Sequence, residues 1–384
     1  MKSPQAAHTP VRLLHLHSSF SLGGKEARAT RLMNLMGARA DHVVLTAVPD
    51  ALGARDAIDA GITVKFPGDA AAPPLHGRPG PARYLALARF MQRFDLVLSY
   101  NWGSMDGVMA HRLLSPFMRL PPLVHHEDGF NEDESVRRSG KRSAFRRLAL
   151  PTAHGLMVPS EVLHRIARTE WGAGNRLRLI RNGIDVASYR GLPDQPIVGL
   201  DRRGGVVVGT VAGLRAVKAL PRLVRAFAAV PAPAHLVIVG EGPERASIAR
   251  AADAAGIADR LVMPGFMARP CRWIGHFDIL ALSSLSEQAP IAVVEAMAAG
   301  LPIASLDVGD VAAMVASENR PYIVSSESDL AAALCALASD AALRQRLGTA
   351  NAARAAAMFD EAAMVAQYDQ LYGSALGGQS LFSG

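Results

Sequence analysis

Short apolar runs, each followed by a longer segment of helical period, recur along this chain in two series separated by a break. The first series is 11–17 (VRLLHLH), 42–47, 62–66, 95–99, 122–126, 154–158 and 177–180. Alternation of this kind predicts a parallel sheet wrapped by helices. Pro, Gly and charged residues interrupt the pattern at 191–204, which reads as a linker. It then resumes at 206–212 (VVVGTVA), 235–240, 261–263, 278–282, 302–306 and 321–324. The fold class is therefore α/β, with two Rossmann-like doubly wound domains at 1–190 and 205–384; 384 residues suit two domains at roughly 150 each. Parallel sheets take ligands at the carboxyl ends of their strands, so the two domains are expected to face a central cleft that holds one. The Ala-rich tail, about 329–372, reads as helical, with its last helix expected to cross back onto the N-terminal domain.

Composition removes several function classes. Half of the residues are hydrophobic and a fifth are charged, which excludes a disordered chain. No apolar run reaches the roughly 20 residues of a membrane-spanning helix. Aromatics are 5%, so stacking platforms for single-stranded nucleic acid are scarce. Cys271 and Cys335 lack metal-site spacing and read as reduced thiols. The N-terminal segment is too short and interrupted for a signal peptide, which places the protein in the cytoplasm by expectation.

The net charge of +7 divides unevenly. There are 26 Lys+Arg against 16 Asp+Glu through Arg190, and 15 against 18 after it, or +10 and −3. The densest run is Arg137, Arg138, Lys141, Arg142, Arg146 and Arg147. At helical spacing this is an amphipathic basic segment, suited to an anionic membrane surface on the inner face of the plasma membrane or to phosphates. A solvated helix face is the alternative. No recognition helix, zinc finger or RNP pattern accompanies the charge, so no nucleic-acid partner is expected.

Chemistry concentrates in 283–302, SSLSEQAPIAVVEAMAAGLP. Pro290 suits the first turn of a helix over 291–299 that stops at Gly300 before Pro302. Exposed amides at its N-terminus can hold a diphosphate, and Glu287 and Glu295 bracket that position. Glu295 as a plain surface carboxylate is the alternative. In the first domain, Gly23 and Gly24 follow the first strand, where glycines let backbone amides approach phosphate; an ordinary turn would look the same. Lys25 and Glu26 continue the motif, Glu26 also fitting a helix cap. The strand over 122–126 ends in His125-His126-Glu127-Asp128-Gly129, four titratable groups that point to a site. Asn101, Trp102 and Asp106 follow strand 95–99 and are acceptor-pocket candidates together with His126 and Glu127, core or capping roles being the alternative.

Glu287-x7-Glu295 followed by Ala-Met-Ala-Ala-Gly-Leu-Pro resembles the signature of retaining glycosyltransferases of family 4 (glycosyl transferases group 1), which have the GT-B fold. Gly23-Gly24, Val158-Pro159-Ser160, Arg181-Asn182-Gly183-Ile184-Asp185, Val239-Gly240-Glu241-Gly242-Pro243 and Phe277-Asp278-Ile279 agree in order and spacing. The resemblance implies that the C-terminal domain binds a nucleotide sugar and the N-terminal domain the acceptor. Glu295 would accept hydrogen bonds from the ribose, and Glu287 would lie near the donor hexose. Amides around Ala289, Pro290 and Ile291 would touch sugar hydroxyls and phosphate. Gly240, Gly242 and Phe266 would help form the base pocket. His125, with His126 next, would match a histidine that the family places near the donor sugar.

A departing diphosphate needs cations, and the family supplies an Arg and a Lys after the first strand of the C-terminal domain. Lys218 falls on the lysine; Gly213 stands where the arginine would be. Either Arg215 replaces it, or Lys218 acts with helix and glycine-loop amides. The function implied is retaining transfer of a hexose from a nucleotide-diphosphate sugar to a glycan or lipid-linked acceptor, in exopolysaccharide, capsule or lipopolysaccharide assembly. Relatives of this kind work without a metal, and no cofactor is implied; metal binding is the alternative for the His125–Asp128 run. A non-catalytic nucleotide-sugar-binding protein and a nucleotide-sugar epimerase are the alternative functions.

Overall fold

The computed structural model describes residues 9–68, 71–77, 79–130, 134 and 138–382. It divides into two compact units: the first runs to Ile180 and takes in Val365–Gly384, and the second is Arg181–Met364. The chain thus changes unit after Ile180 rather than in the expected linker, and again within the helix Glu361–Ala375. Segment 191–204 belongs to the second unit, where Arg272 forks onto Asp194 at 2.9 and 3.2 Å.

The first unit carries β1 (Val11–His17), β2 (Ala40–Thr46), β3 (Val64–Lys65), β4 (Leu96–Tyr100), β5 (Leu123–His126), β6 (Gly155–Val158) and β7 (Leu177–Leu179). They form one parallel sheet in the order β3-β2-β1-β4-β5-β6-β7. Leu14, Leu16, Val97, Leu123, Leu156 and Val158 belong to one buried apolar cluster with residues of the helices Pro81–Met91, Met105–Leu114 and Glu161–Glu170.

The other face of the same strands is polar and aromatic, yet equally buried. His15, His17, His42, Tyr100 and His126 lie on it, with Tyr368 and Tyr372 of the last helix packed above. The rings of His17 and Tyr100 stack at 4.1 Å, and those of Tyr100 and His126 at 4.6 Å. His126 Nε2 meets the Tyr372 hydroxyl at 2.8 Å. Burial drives His15, His17 and His126 far below the usual histidine value and His42 to about 4, so this layer is uncharged at neutral pH.

The second unit carries β8 (Val206–Val211), β9 (Ala234–Val239), β10 (Leu261–Gly265), β11 (Ile279–Leu282), β12 (Ile303–Leu306) and β13 (Ile323–Val324), parallel in the order β10-β9-β8-β11-β12-β13. Side chains alternate between two buried clusters. Val208, Leu236, Ile238 and Ile279 pack with residues of the helices Leu220–Phe227 and Glu327–Ser339. Val207, Val237, Val239 and Leu280 pack with residues of the helix Ile291–Ala298. Strands buried on both faces are the reason this half of the sequence reads as continuous apolar runs. Among the described residues no helix is long and apolar enough to cross a membrane.

Candidate functional site

In the second unit the loops after β8 and β9 are laced by their backbones. Leu214 N donates to the Glu241 carbonyl at 2.8 Å, and Glu244 N to the Leu214 carbonyl at 3.0 Å. Gly240 and Gly242 have φ of +142° and +154°, and a Cβ on either would lie 1.9 Å from the Ala212 oxygen or 2.5 Å from the Leu214 oxygen. Glycine is required there by both conformation and space. Gly240 N also donates to the Gly265 carbonyl at 2.9 Å, and the following Phe266 is 63% exposed.

The loop ending in Lys218 is held by the segment that follows β11. Leu285 N donates to the Val217 carbonyl at 2.8 Å, and Ser283 Oγ to the Lys218 and Ala219 carbonyls at 3.0 and 3.1 Å. This brings Lys218 Nζ to 2.5 Å from Glu287 Oε1, which also accepts from Ser284 Oγ at 2.7 Å. Lys218 and Glu287, 69 positions apart, thus form a mostly buried ion pair. At Gly213 there is room for a side chain: the nearest atom to its would-be Cβ is Arg215 Nε at 3.6 Å. Arg215 is exposed, and its side chain passes over the position where the family arginine would begin.

The helix Ile291–Ala298 starts at Pro290, and Gly300 ends it at φ +74°. Its entry loop is fixed from two sides: Asn182 Nδ2 donates to the Ala289 carbonyl at 3.1 Å, and Asp310 N to the Gln288 carbonyl at 2.8 Å. Ile291 is the first helical residue and Pro290 has no N–H, so the first-turn N–H groups that an anion can meet are those of Ile291 and Ala292. One turn in, Glu295 Oε1 accepts from the Tyr189 hydroxyl at 3.0 Å. Burial pushes Glu295 up to about 7, opposed by that bond. Burial, then the Glu295 charge, raises Tyr189 far above the ordinary phenol value, so it stays a donor.

The first unit holds the remaining candidates. Gly23 caps the helix Gly24–Met36 without a side-chain bond, and the Glu26 carboxylate pairs with Lys25 and accepts from its own backbone N–H in the first turn. Arg28 forks onto Asp128 at 2.5 and 2.8 Å, and Asp128 N donates to Asn101 Oδ1 at 2.7 Å. Asn101 itself sits at φ +55°. Asp106 accepts from Arg83 Nη2 at 2.5 Å. His125, His126 and Glu127 are all fully buried. His125 Nδ1 lies 2.8 Å from Ser99 Oγ, and its Nε2 lies 3.6 Å from Glu127 Oε2. Among the described residues no three His, Cys, Asp or Glu side chains converge as metal ligands.

The expected membrane-facing stripe is corrected. Arg146 has no exposed surface: its Nε donates to Glu127 Oε2 at 2.7 Å, and its guanidinium lies 5.1, 5.6 and 4.9 Å from the rings of Trp102, Phe130 and Trp171. Arg142 bonds Glu134 at 2.9 Å and lies over Trp102, and Arg138 pairs with Glu170 at 2.8 Å. Lys141 and Arg147 are exposed, and Arg137 lies outside the described residues. The helix Gly140–Ala149 turns Arg142 and Arg146 toward carboxylates and rings of its own unit and leaves Lys141 and Arg147 to solvent, so its cations do not form one exposed row.

Lys218, Glu287, Ala289 and Pro290 therefore lie on adjoining loops, and Ile291 and Glu295 on the helix they lead into, all in one unit, whereas Gly23, Gly24, Asn101, Trp102, His125, His126 and Glu127 belong to the other. Sequence reasoning missed Tyr189, Asn182 as the anchor of the helix entry, and the Arg28–Asp128 fork. Asn182 carried a signal, since it stands inside a recognised motif.

Two Rossmann-like units with an anion-ready helix and a Lys–Glu pair define a protein of the GT-B class. The family model for glycosyl transferases group 1 matches 205–340, and that for the glycosyl transferase 4-like domain matches 23–183. The 2-deoxystreptamine glucosyltransferase of Streptomyces kanamyceticus is 29% identical over 44% of this chain and 46% of its own length. The lipopolysaccharide core biosynthesis glycosyltransferase LpsD of Rhizobium meliloti is 27% identical over 36% of this chain and 41% of its own. The chain thus spans about half the length of the curated relatives it matches. The structure of Anabaena HepE in complex with UDP and glucose superposes with a TM-score of 0.76 at 20% identity, over 95% of this chain and all of that one. This chain belongs to the group 1, family 4 glycosyl transferases.

Proposed function

We propose that the protein is a retaining glycosyltransferase that moves a hexose from a nucleotide-diphosphate sugar to a glycan or lipid-linked acceptor in cytoplasmic assembly of cell-surface polysaccharide. The observation that carries this reading is the Lys218–Glu287 pair beside the entry of the helix Ile291–Ala298, with Glu295 one turn inside. A diphosphate at those amides would meet Lys218 on one side, and its ribose would reach Glu295. The exposed guanidinium of Arg215, passing over Gly213, supplies the second cation.

In this scheme the hexose–phosphate bond breaks as Lys218, Arg215 and helix amides stabilise the leaving charge. The acceptor hydroxyl attacks from the same face, and the departing phosphate oxygen takes its proton. Glu287 holds Lys218 in place and orients hexose hydroxyls. No protein nucleophile is used; the cations come from side chains, and the reading includes no metal or organic cofactor. LpsD, named for lipopolysaccharide core synthesis, supports the polysaccharide assignment, and HepE, solved with UDP and glucose, supports a nucleotide-sugar donor.

The test is thermal unfolding with UDP, GDP, ADP and their hexose conjugates, followed by turnover with glycan and lipid-linked acceptors. A bound nucleotide at 100 times Kd adds about 2.7 kcal/mol, a shift of a few degrees. Stabilisation by none of them refutes the reading. Binding with no acceptor-dependent release of nucleoside diphosphate leaves a nucleotide-sugar-binding protein instead, and conversion of the donor without acceptor leaves an epimerase.

A further inference from the structure

Tyr189 closes the 3-10 turn Val186–Tyr189, whose cap Asp185 accepts from Ser188 N at 3.4 Å. Its ring packs on the apolar cluster of Val186, Trp273 and Phe277, where a phenylalanine would fill the same space. The hydroxyl is not needed for that packing. It points instead at Glu295 Oε1, 3.0 Å away and 106 positions along the chain.

We propose that Tyr189 is a positioning residue for nucleotide binding: its hydroxyl holds one oxygen of Glu295 and leaves the other free to accept from the ribose diol. This rests on the reading of Glu295 as the ribose-binding carboxylate. A carboxylate has lone pairs for several donors, but a rotamer free to turn would lose the orientation that two adjacent hydroxyls require. The same bond favours the ionised form that a diol needs, in a place where burial disfavours it.

Other titratable groups of the same unit have partners of their own. Asp185 caps the turn that ends in Tyr189, its carboxylate accepting from Ser188 N at 3.4 Å. His276 Nε2 faces the Gln195 carbonyl at 3.0 Å, and Arg354 bonds the Met314 and Ala313 carbonyls at 2.7 and 2.6 Å. Among the described residues, Tyr189 is the side chain that bonds the Glu295 carboxylate.

The experiment measures Kd by calorimetry from pH 5.5 to 9 for wild type, Tyr189→Phe, Glu295→Gln and the double variant. The probe is whichever of UDP, GDP and ADP binds the wild type. Wild-type affinity should fall as pH drops through about 7. In Tyr189→Phe that midpoint should rise by about one unit, with affinity at pH 7 lower about fivefold and largely recovered at pH 9. Glu295→Gln should weaken binding, remove the pH dependence and make the Tyr189→Phe change silent. A Tyr189→Phe profile that coincides with wild type, while Glu295→Gln still weakens binding, overturns the positioning role alone. Unchanged binding in Glu295→Gln, or no binding of any of the three nucleotides to the wild type, overturns the ribose reading and the proposal with it.

Discussion

Replacing Arg146 by Met removes a fully buried cation whose Nε lies 2.7 Å from Glu127 and whose guanidinium is ringed by Trp102, Phe130 and Trp171. Methionine keeps most of the volume, so the change isolates the charge. Glu127, itself without exposed surface, loses that donor, and among the described residues its Oε2 then keeps His125 Nε2 at 3.6 Å. Breaking a buried pair from one side costs about 3–5 kcal/mol. At about 2–4 °C per kcal/mol for a unit of this size, Tm of the first unit should fall by roughly 6–20 °C. Tryptophan fluorescence follows it directly, because two of the three tryptophans lie on Arg146. The double variant Glu127→Gln/Arg146→Met, in which neither partner carries charge, should recover at least 1 kcal/mol relative to the sum of the singles. A surface cation at this position would change stability by only about 0.5 kcal/mol. A loss under 1 kcal/mol for Arg146→Met, or strict additivity in the double variant, refutes the buried-pair argument.

Lys218→Ala should lower kcat about 10²–10³-fold with circular dichroism unchanged, as loss of one stabiliser of transition-state charge does; turnover near wild type would remove Lys218 from the mechanism. Arg215→Ala should lower kcat at least tenfold, and adding Gly213→Arg should restore part of it, since space at Gly213 is open. Gly240→Ala should cost about 3 kcal/mol or more through its backbone overlap and φ, whereas Gly213→Ala should leave Tm within about 1 °C; unfolding curves of the two decide. Glu295 binds its proton more tightly folded than unfolded, so it detracts from stability as pH rises from 4.5 to about 7, by about 3 kcal/mol in all. Urea unfolding of Glu295→Gln should lack that decline, and an identical pH slope in both proteins would refute it.

Much of this fold was legible because parallel strands buried on both faces leave runs such as Val206–Val211 with little ambiguity. The helix stop at Gly300 and start at Pro290 follow from backbone chemistry visible in the sequence. The unit boundary was not. Pro, Gly and charge at 191–204 look like a linker, but Ile184 N bonds the Phe359 carbonyl and Glu361 N bonds the Ile184 carbonyl, contacts between segments far apart in sequence. Arg146 was misjudged because its neighbours are basic, while its partner Glu127 stands 19 residues earlier, just past the end of β5. The hydroxyl of Tyr189 left no trace either, since an aromatic there needs only an apolar cluster. His15, His17 and His126 broke the apolar pattern without losing the strands, for neutral imidazoles pack as rings once tyrosines stand beside them.

The segment from Val365 onward belongs with residues before Ile180, joined by contacts such as His126 with Tyr372 and the Arg39 guanidinium with the Phe382 carbonyl at 3.1 Å. On a ribosome adding about 5–20 residues per second, roughly 10 to 40 s separate emergence of Ile180 from emergence of that helix. Through that interval the polar sheet face of the first unit has no Tyr368 or Tyr372 above it, while the second unit already has its whole sequence before Val365. The domain begun first in translation therefore receives its covering helix only after the sequence of the second has been made.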